Sequence, residues 1–299
     1  MATAGNSDLA AALQALLARL DPLLPPRREV DWTAPAFRWR KRHYLGGASG
    51  HLDPVRRVAH IDPEDLQHVD EQREAILRNT EQFVRSLPAN NVLLTGARGT
   101  GKSSLIRACL ARFHADGLRL IEVDKNDLTD LPDIVALVAV RPERFILFCD
   151  DLSFEEGESS YKALKAALDG SVAAPSENLL IYATSNRRHL MPEYMRENLD
   201  AKYQDDGEIH PGETVEEKIS LSERFGLWLS FYPFRQDDYL DIVAHWLGRF
   251  GAGPAQIEAA RTEALQFALQ RGSRSGRVAL QFARDYAGRL GIGIGIGQR

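Results

Sequence analysis

The segment from Gly96 to Ser103 fits the pattern G-x-x-x-x-G-K-[ST], whose residue types suit the binding of phosphate groups. Glycines let backbone N–H groups converge on phosphate oxygens, and the N-terminus of a following helix adds positive potential. Lys102 can reach the β- and γ-phosphates, and the Ser103 hydroxyl can bind Mg²⁺. We expect nucleotide contacts from nine consecutive residues: Gly96, Ala97, Arg98, Gly99, Thr100, Gly101, Lys102, Ser103 and Ser104.

Two consecutive carboxylates, Asp150 and Asp151, end a continuous apolar run that begins at Phe145. Such runs are typical of strands buried on both faces of a parallel sheet. A carboxylate at the end of such a strand can bind Mg²⁺ directly or through water, and its neighbour can polarise the attacking water. One of the two aspartates can instead cap the next helix. We favour Asp150 as a metal ligand, together with Ser103, and Asp151 as the catalytic base.

Asn186, Arg224 and Arg277 are the other positions whose residue types suit phosphate chemistry. Asn186 ends the next apolar run, where an amide can orient water or contact the γ-phosphate; a turn-forming asparagine is the alternative. An arginine that reaches a γ-phosphate stabilises charge that develops during phosphoryl transfer, and it can belong to a neighbouring subunit. Single arginines are usually surface residues, so spacing alone assigns neither arginine to the site.

The segments around these residues alternate between apolar strands and amphipathic helices. We expect strands at 92–94, 118–123, 145–151 and 179–186, and helices at 102–114, 130–140 and 161–168. This alternation predicts an α/β fold with a parallel sheet flanked by helices and right-handed crossovers. Ligand groups should gather at the carboxyl ends of the strands.

The flanking segments are assigned by periodicity and composition. A helix is expected over 63–86, an amphipathic helix over 7–20, and an acidic solvated loop over 191–220. Helical periodicity beyond Pro233 predicts a small helical domain. The predicted domains are an N-terminal helix and linker region (1–44), an α/β nucleotide-binding domain (45–232), a helical lid domain (233–290) and a flexible tail (291–299).

Residues 31–50 combine aromatic with basic side chains, including Trp32, Phe37 and Trp39. Such a segment can stack on nucleic-acid bases, or it can pack its aromatics on the core while its charges face water. We favour the second interpretation. The net charge of −5 gives no global reason to expect nucleic acid or an anionic membrane as a partner.

The composition is that of a globular protein: 299 residues, 44% hydrophobic and 26% charged. The two cysteines, Cys109 and Cys149, fall in the expected core helix and core strand, which is typical of buried thiols in a reducing compartment. The first 20 residues lack the basic start of a signal peptide, and no apolar run approaches membrane-spanning length. We expect a cytoplasmic protein with no membrane partner.

With these positions in this order, the chain resembles an AAA+ ATPase. Several longer strings are similar to the AAA+ family catalogued as domain of unknown function 815, and the resemblance covers roughly residues 45–288. The strings are NTEQF (79–83), ANNVLLTGARGTGKSS (89–104), YKALK (161–165), LDG (168–170) and YATSNRRHLMP (182–192). The resemblance implies Walker A at Gly96–Ser103, Walker B at Asp150 and Asp151, sensor 1 at Asn186, an arginine finger at Arg224, and sensor 2 in the lid at Arg277 or, alternatively, Arg274.

The chain departs from the general AAA+ pattern at Asp151, where most members have glutamate. The aspartate side chain is shorter by one methylene, so slow hydrolysis is expected unless Glu155 or Glu156 contributes. The segment from Val123 to Val140 also lacks the aromatic-hydrophobic-glycine pore loop of protein unfoldases, which argues against polypeptide threading.

We therefore expect ATP and Mg²⁺ as cofactors of an ATPase that drives conformational change on an unknown protein client. The expected assembly is a homo-oligomer in which Arg224 completes the site of the adjacent subunit. The alternative is a nucleotide-gated nucleic-acid-binding module with little hydrolysis, whose phosphate contacts are Arg38, Arg40, Lys41 and Arg42. A small-molecule kinase is a further rival, and a GTPase is disfavoured because no N-K-x-D motif occurs. His68 and Val69 are weak candidates for the base pocket.

Overall fold

A computed structural model of the chain describes residues 13–15, 19, 29–44, 47–59, 61–154, 158–169, 177–187, 190 and 221–293. The helix predicted over 7–20 lies mostly outside these residues. The predicted acidic loop over 191–220, the tail from residue 294 onward, and both Glu155 and Glu156 lie outside them altogether.

Within the described residues, seven strands form one sheet in the order β2-β1-β4-β5-β6-β3-β7. The strands are β1 (Ala36–Tyr44), β2 (Gly47–Val55), β3 (Val92–Gly96), β4 (Leu118–Glu122), β5 (Arg144–Cys149), β6 (Leu179–Ser185) and β7 (Leu227–Phe231). β1 and β2 are antiparallel, whereas the other five neighbouring pairs are parallel. Parallel neighbours need long crossovers, which helices provide here. The predicted α/β class, a parallel sheet flanked by helices, is therefore confirmed.

The described part of the chain contains seven α-helices of eight or more residues. They are α1 (Asp70–Val84), α2 (Lys102–Phe113), α3 (Leu131–Val138), α4 (Ser159–Asp169), α5 (Gln236–Arg249), α6 (Pro254–Gln270) and α7 (Gly276–Arg289). The helix predicted over 63–86 is instead a 3₁₀ turn, Pro63–Asp65, followed by α1. His68 separates the two because it adopts a left-handed φ of 59°, which an α-helix cannot continue through.

Both faces of the sheet are covered, which accounts for the continuous apolar runs of its central strands. Along β5, Ile146 and Phe148 pack in a layer with α1, α2 and the three C-terminal helices α5–α7. Phe145 and Leu147 point to the opposite face and pack in a layer with α3 and α4, as the period of two of a strand requires. Cys109 and Cys149 are buried in these two layers, as the sequence predicts.

β1 lies in a segment that the sequence places in the N-terminal linker region, and this assignment is wrong for residues 36–44. They pair in parallel with β4 and carry β2 at the edge of the sheet. Phe37 and Trp39 are 0% and 3% exposed, and the Trp39 indole Nε1 donates to Asp130 Oδ2 at 2.8 Å. The expectation that these aromatics pack on the core is therefore confirmed. β2 and β7 also lie outside the predicted strands.

A buried polar network ties α1 to β6 and to the turn before β3. Asn79 Nδ2 donates to the Asn90 carbonyl at 2.9 Å and to the Tyr182 hydroxyl at 3.0 Å, while Asn90 N–H donates to Asn79 Oδ1 at 3.0 Å. The Tyr182 hydroxyl also forms a hydrogen bond with Thr80 Oγ1 at 2.9 Å. Burial raises the pKa of Tyr182 well above its usual value, so this hydroxyl stays protonated. The network fixes the entry to β3 and hence the loop that follows it.

Candidate functional site

The loop between β3 and α2 has the curled backbone that phosphate binding requires. Gly99 adopts a φ of 73°, a conformation that residues with a side chain rarely adopt. A Cβ at this position would lie 2.8 Å from Ser275 Oγ, so a residue with a side chain would also have to displace Ser275. The loop ends at Lys102, where α2 begins and presents its N-terminus.

Lys102 holds its amino group at the mouth of this loop. The residue is 5% exposed, and its Nζ donates to the carbonyls of Gly96 and Ala97 at 2.8 and 2.7 Å and to Asn186 Oδ1 at 3.1 Å. Burial lowers the pKa of Lys102, while the nearby carboxylate of Asp150 opposes that shift. Among the described residues the ammonium group has no direct ion pair, so it can serve an anionic ligand.

Asp150 lies beside the start of α2, although 47 residues separate it from Ser103. Its Oδ1 accepts a hydrogen bond from Ser103 Oγ at 2.6 Å and a second from Thr184 Oγ1 at 2.5 Å. A carboxylate and a hydroxyl oxygen this close together are the hard ligands that Mg²⁺ prefers. Since Mg²⁺ usually retains waters and phosphate oxygens as further ligands, these two protein oxygens fit such an ion.

Asn186 connects the amine to the second carboxylate. Its Nδ2 donates to Asp151 Oδ1 at 2.6 Å, and its Oδ1 accepts from Lys102 Nζ. Asp151 has a φ of 53°, an unusual conformation for a residue with a side chain. Asn186 directly follows β6, which lies between β5 and β3 in the sheet, so it stands beside the end of the strand that leads to the two aspartates.

These groups line one cavity of about 470 Å³, a volume within the range of ligand sites. Its walls come from the phosphate loop, from the carboxyl ends of β5 and β6, from the segment before α1 and from the C-terminal helices. Among the lining residues are 98–104, 150–151, 65–67, Trp246 and Arg277.

The three arginines singled out in the sequence have different surroundings. Arg277 lines the cavity, and its backbone N–H approaches the Gly99 carbonyl at 3.4 Å. Arg274 instead lines a second cavity of about 460 Å³, which shares Arg98 and Thr100 with the first. Arg224 pairs with Asp169 at the end of α4 and is not among the described residues that line the first cavity.

The segment before α1 contributes to the site through residues that the sequence analysis did not single out. Asp65, Leu66 and Gln67 line the cavity, whereas the candidates His68 and Val69 do not. Asp65 also accepts from His245 Nε2 at 2.9 Å, which joins this segment to α5. No local pattern marks these residues, because their role depends on how the C-terminal helices pack against the segment.

The basic side chains of β1 are partly neutralised within the chain. Arg38 pairs with Glu122 at 2.8 Å, and Lys41 pairs with Asp130 at 3.0 Å. Phe37 and Trp39 are buried, as described above, so these two rings do not face solvent where they could stack on bases. Arg38 and Lys41, two of the proposed phosphate contacts, are already paired with carboxylates of the chain.

The parallel sheet, the phosphate-binding loop between β3 and α2, the acidic end of β5 and the helices after β7 define a P-loop fold of the AAA+ class. The chain belongs to the family described as Protein of unknown function (DUF815), which matches residues 32–290. No curated protein matches the chain.

Several solved structures are similar to this chain at low identity. A chain of the E. coli MS115-1 HORMA:CdnC:Trip13 complex is 12% identical, with a TM-score of 0.48, and the match covers 76% of this chain and 93% of that chain. A point mutant of Thermotoga maritima RuvB is 14% identical, with 76% and 65% covered and a TM-score of 0.46. Aeropyrum pernix Orc1 in complex with DNA is 14% identical, with 75% and 66% covered and a TM-score of 0.49. The chain thus spans just under two thirds of the RuvB and Orc1 chains, and these likenesses assign it no activity or partner.

None of the helices that the structure describes is long and apolar enough to cross a membrane.

Proposed function

We propose that this protein binds ATP with Mg²⁺ and hydrolyses it to ADP. The observation that carries the proposal is the convergence of Lys102, Ser103, Asp150, Asp151 and Asn186 on one cavity beside the carboxyl ends of β3, β5 and β6. Open parallel sheets bind their ligands at this edge. Mg²⁺ bound there would neutralise charge on the phosphate oxygens.

Each of these side chains has one task in the proposal. Lys102 binds the phosphates, and Ser103 with Asp150 holds Mg²⁺. Asp151 polarises the attacking water, while Asn186 orients the Asp151 carboxylate through the 2.6 Å hydrogen bond. Because an aspartate reaches less far than the usual glutamate, we expect slow turnover.

The C-terminal helices α5–α7 act in this proposal as a lid that responds to the nucleotide and transmits the change to a protein client. Ser275 and Arg277 at the start of α7 contact Gly99 of the phosphate loop, which supports such coupling. Arg277 is the favoured sensor 2, since it lines the cavity and Arg274 lines its neighbour. The two free, buried cysteines fit a reducing compartment such as the cytoplasm.

The test is release of inorganic phosphate from ATP, which separates hydrolysis from transfer to an acceptor. We expect Mg²⁺-dependent turnover in the wild type and a loss of about 100-fold or more in Lys102→Ala, as for other transition-state contacts. Lys162→Ala is the matched control, because Lys162 is an exposed lysine on α4 outside the cavity lining. In the same assay Arg277→Ala should lose more activity than Arg274→Ala. Equal turnover in Lys102→Ala and wild type would sink the proposal.

We also propose that Arg224 completes the site of an adjacent subunit in a homo-oligomer. Specific activity should then rise with protein concentration, and Arg224→Ala should bind nucleotide but turn it over slowly. Mixing Arg224→Ala with Asp151→Ala should restore some activity, because one subunit supplies the arginine and the other the intact site. Asp169→Asn is the control, since it neutralises a carboxylate that pairs with Arg224 within the chain and leaves the arginine in place. Absence of rescue at every mixing ratio would count against action between subunits.

A further inference from the structure

Thr184 makes three hydrogen bonds to three consecutive residues of the acidic segment after β5. Its Oγ1 donates to Asp150 Oδ1 at 2.5 Å and accepts from the Asp151 backbone N–H at 3.0 Å. Its carbonyl accepts from Leu152 N–H at 2.7 Å. Since Thr184 lies on β6 and is 2% exposed, the acidic segment is attached to the rigid centre of the sheet.

The first of these bonds bears on the Asp150 carboxylate. Asp150 Oδ1 receives two hydroxyl donors, Ser103 and Thr184, and Oδ2 receives no donor from the described residues. Both residues line the cavity, but Ser103 stands at the start of α2, whereas Thr184 is 2% exposed and lies within β6, paired with β3. The Ser103 hydroxyl can exchange its bond to Asp150 for a bond to a ligand. Thr184 is therefore the donor that can still fix the rotation of the Asp150 carboxylate.

The second bond bears on Asp151, whose backbone is in the left-handed region at φ 53°. A residue with a side chain holds this conformation only when its surroundings determine it. Here the N–H is held by the Thr184 hydroxyl, and the carboxylate is held by Asn186. The buried Thr184 hydroxyl thus sets the orientation of the Asp150 carboxylate and the backbone conformation of Asp151.

We propose that Thr184 is a positioning residue that aligns Asp150 and Asp151 for magnesium-nucleotide binding and for turnover. The inference rests on the proposed ATPase function, but it concerns a residue that does not carry out the chemistry itself. Groups that hydrogen-bond to a metal-binding carboxylate typically change metal affinity or activity by about 10- to 100-fold when they are removed. A threonine retained only for strand packing would instead be replaceable by valine, which has the same branching.

The test compares Thr184→Val, which removes the hydroxyl, with Thr184→Ser, which keeps it. Binding of β,γ-imido-ATP is measured by calorimetry in Mg²⁺ and in EDTA, with the full chain, so that the readout does not depend on turnover. We expect Mg²⁺ to strengthen binding in the wild type and in Thr184→Ser. In Thr184→Val this strengthening should fall by about tenfold or more while binding in EDTA is kept, and kcat should fall with it.

Thr184→Ala repeats the loss of the hydroxyl without a β-branched side chain, in case the valine variant does not fold. Wild-type magnesium dependence in the valine or the alanine variant would overturn the proposal. Equal losses in the serine and valine variants would overturn it too, since they would assign the effect to the methyl group. Failure of the wild type to bind the analogue more tightly than Lys102→Ala would instead overturn the proposed function, so the two failures are distinguishable.

Discussion

Gly99→Ala tests the contact between the phosphate loop and α7, because both the backbone and the neighbouring helix oppose a side chain at this position. A φ of 73° costs an alanine about 1–2 kcal/mol. The new Cβ would lie 2.8 Å from Ser275 Oγ, which caps α7 by accepting from Val278 N–H at 3.3 Å. Displacing this cap costs about 1 kcal/mol more. We therefore expect the free energy of unfolding to fall by about 2–3 kcal/mol.

Two further variants separate these contributions. Gly101→Ala has a comparable φ of 100°, but its Cβ would meet only Leu66 Cδ2 at 3.4 Å, so it should cost about 1–2 kcal/mol. Ser275→Gly removes the atoms that obstruct Gly99→Ala, and glycine is itself an adequate cap that loses only a few tenths of a kcal/mol, roughly. The double variant Gly99→Ala/Ser275→Gly should therefore be more stable than Gly99→Ala alone, by about 1 kcal/mol.

Circular dichroism monitors the urea unfolding of the nucleotide-free chain. Four variants are measured: Gly99→Ala, Ser275→Gly, the double variant of these two, and Gly101→Ala. Contacting residues show interaction energies above the roughly 0.5 kcal/mol scatter of independent sites. If the changes in the free energy of unfolding caused by Gly99→Ala and Ser275→Gly simply add, the two positions are not in energetically significant contact. The coupling that we assign to the lid would then lack its structural basis.

Two other predictions concern buried groups. Tyr182→Phe should lower the free energy of unfolding by about 1–3 kcal/mol, because Thr80 keeps its hydrogen bond to the Ile76 carbonyl but one of the two buried Asn79 Nδ2 hydrogens loses its acceptor. Burial raises the pKa of both Cys109 and Cys149 to about 12, so iodoacetamide should label neither thiol in the folded chain. Unfolded thiols ionise from about pH 8.5, so the free energy of unfolding should fall as pH rises through this value toward 12.

Each of these predictions has an internal control. Tyr232 is 74% exposed, so Tyr232→Phe should change the free energy of unfolding by no more than about 0.5 kcal/mol. A loss below about 0.5 kcal/mol in Tyr182→Phe would mean that the Asn79 amide finds another acceptor when the hydroxyl is removed. For the cysteines, both thiols should react once urea unfolds the chain. Rapid labelling of Cys109 or Cys149 without urea would contradict their burial.

The alternation of strands and helices from β3 to β6 was predictable because the pattern of apolar residues within each element indicates its type. The apolar run of β5 indicates a strand buried on both faces, and its end marks the acidic segment without reference to the rest of the chain. The helices α2, α3 and α4 were predicted to within two residues at each end, since their apolar stripes are local.

The strands β1 and β7 escaped prediction for two different reasons. β1 has alternating basic residues, and its pattern predicted aromatics packed on the core but no strand; the carboxylate that pairs with Arg38, Glu122, stands 84 residues later. β7 is a five-residue strand at the edge of the sheet that pairs on one side with β3. Its short apolar run between irregular segments does not distinguish a strand from the start of a helix.

The sequence by itself determined the groups that can act on a phosphate. The pattern from Gly96 to Ser103 lies between a strand and a helix, and its spacing needs no distant partner. Only the tertiary structure decided which groups meet: Thr184 reaches Asp150 across 34 residues, and Arg277 lines the cavity that Arg274 does not. Local spacing sets the period of an element, whereas such contacts depend on strand order, register and the packing of helices against the sheet.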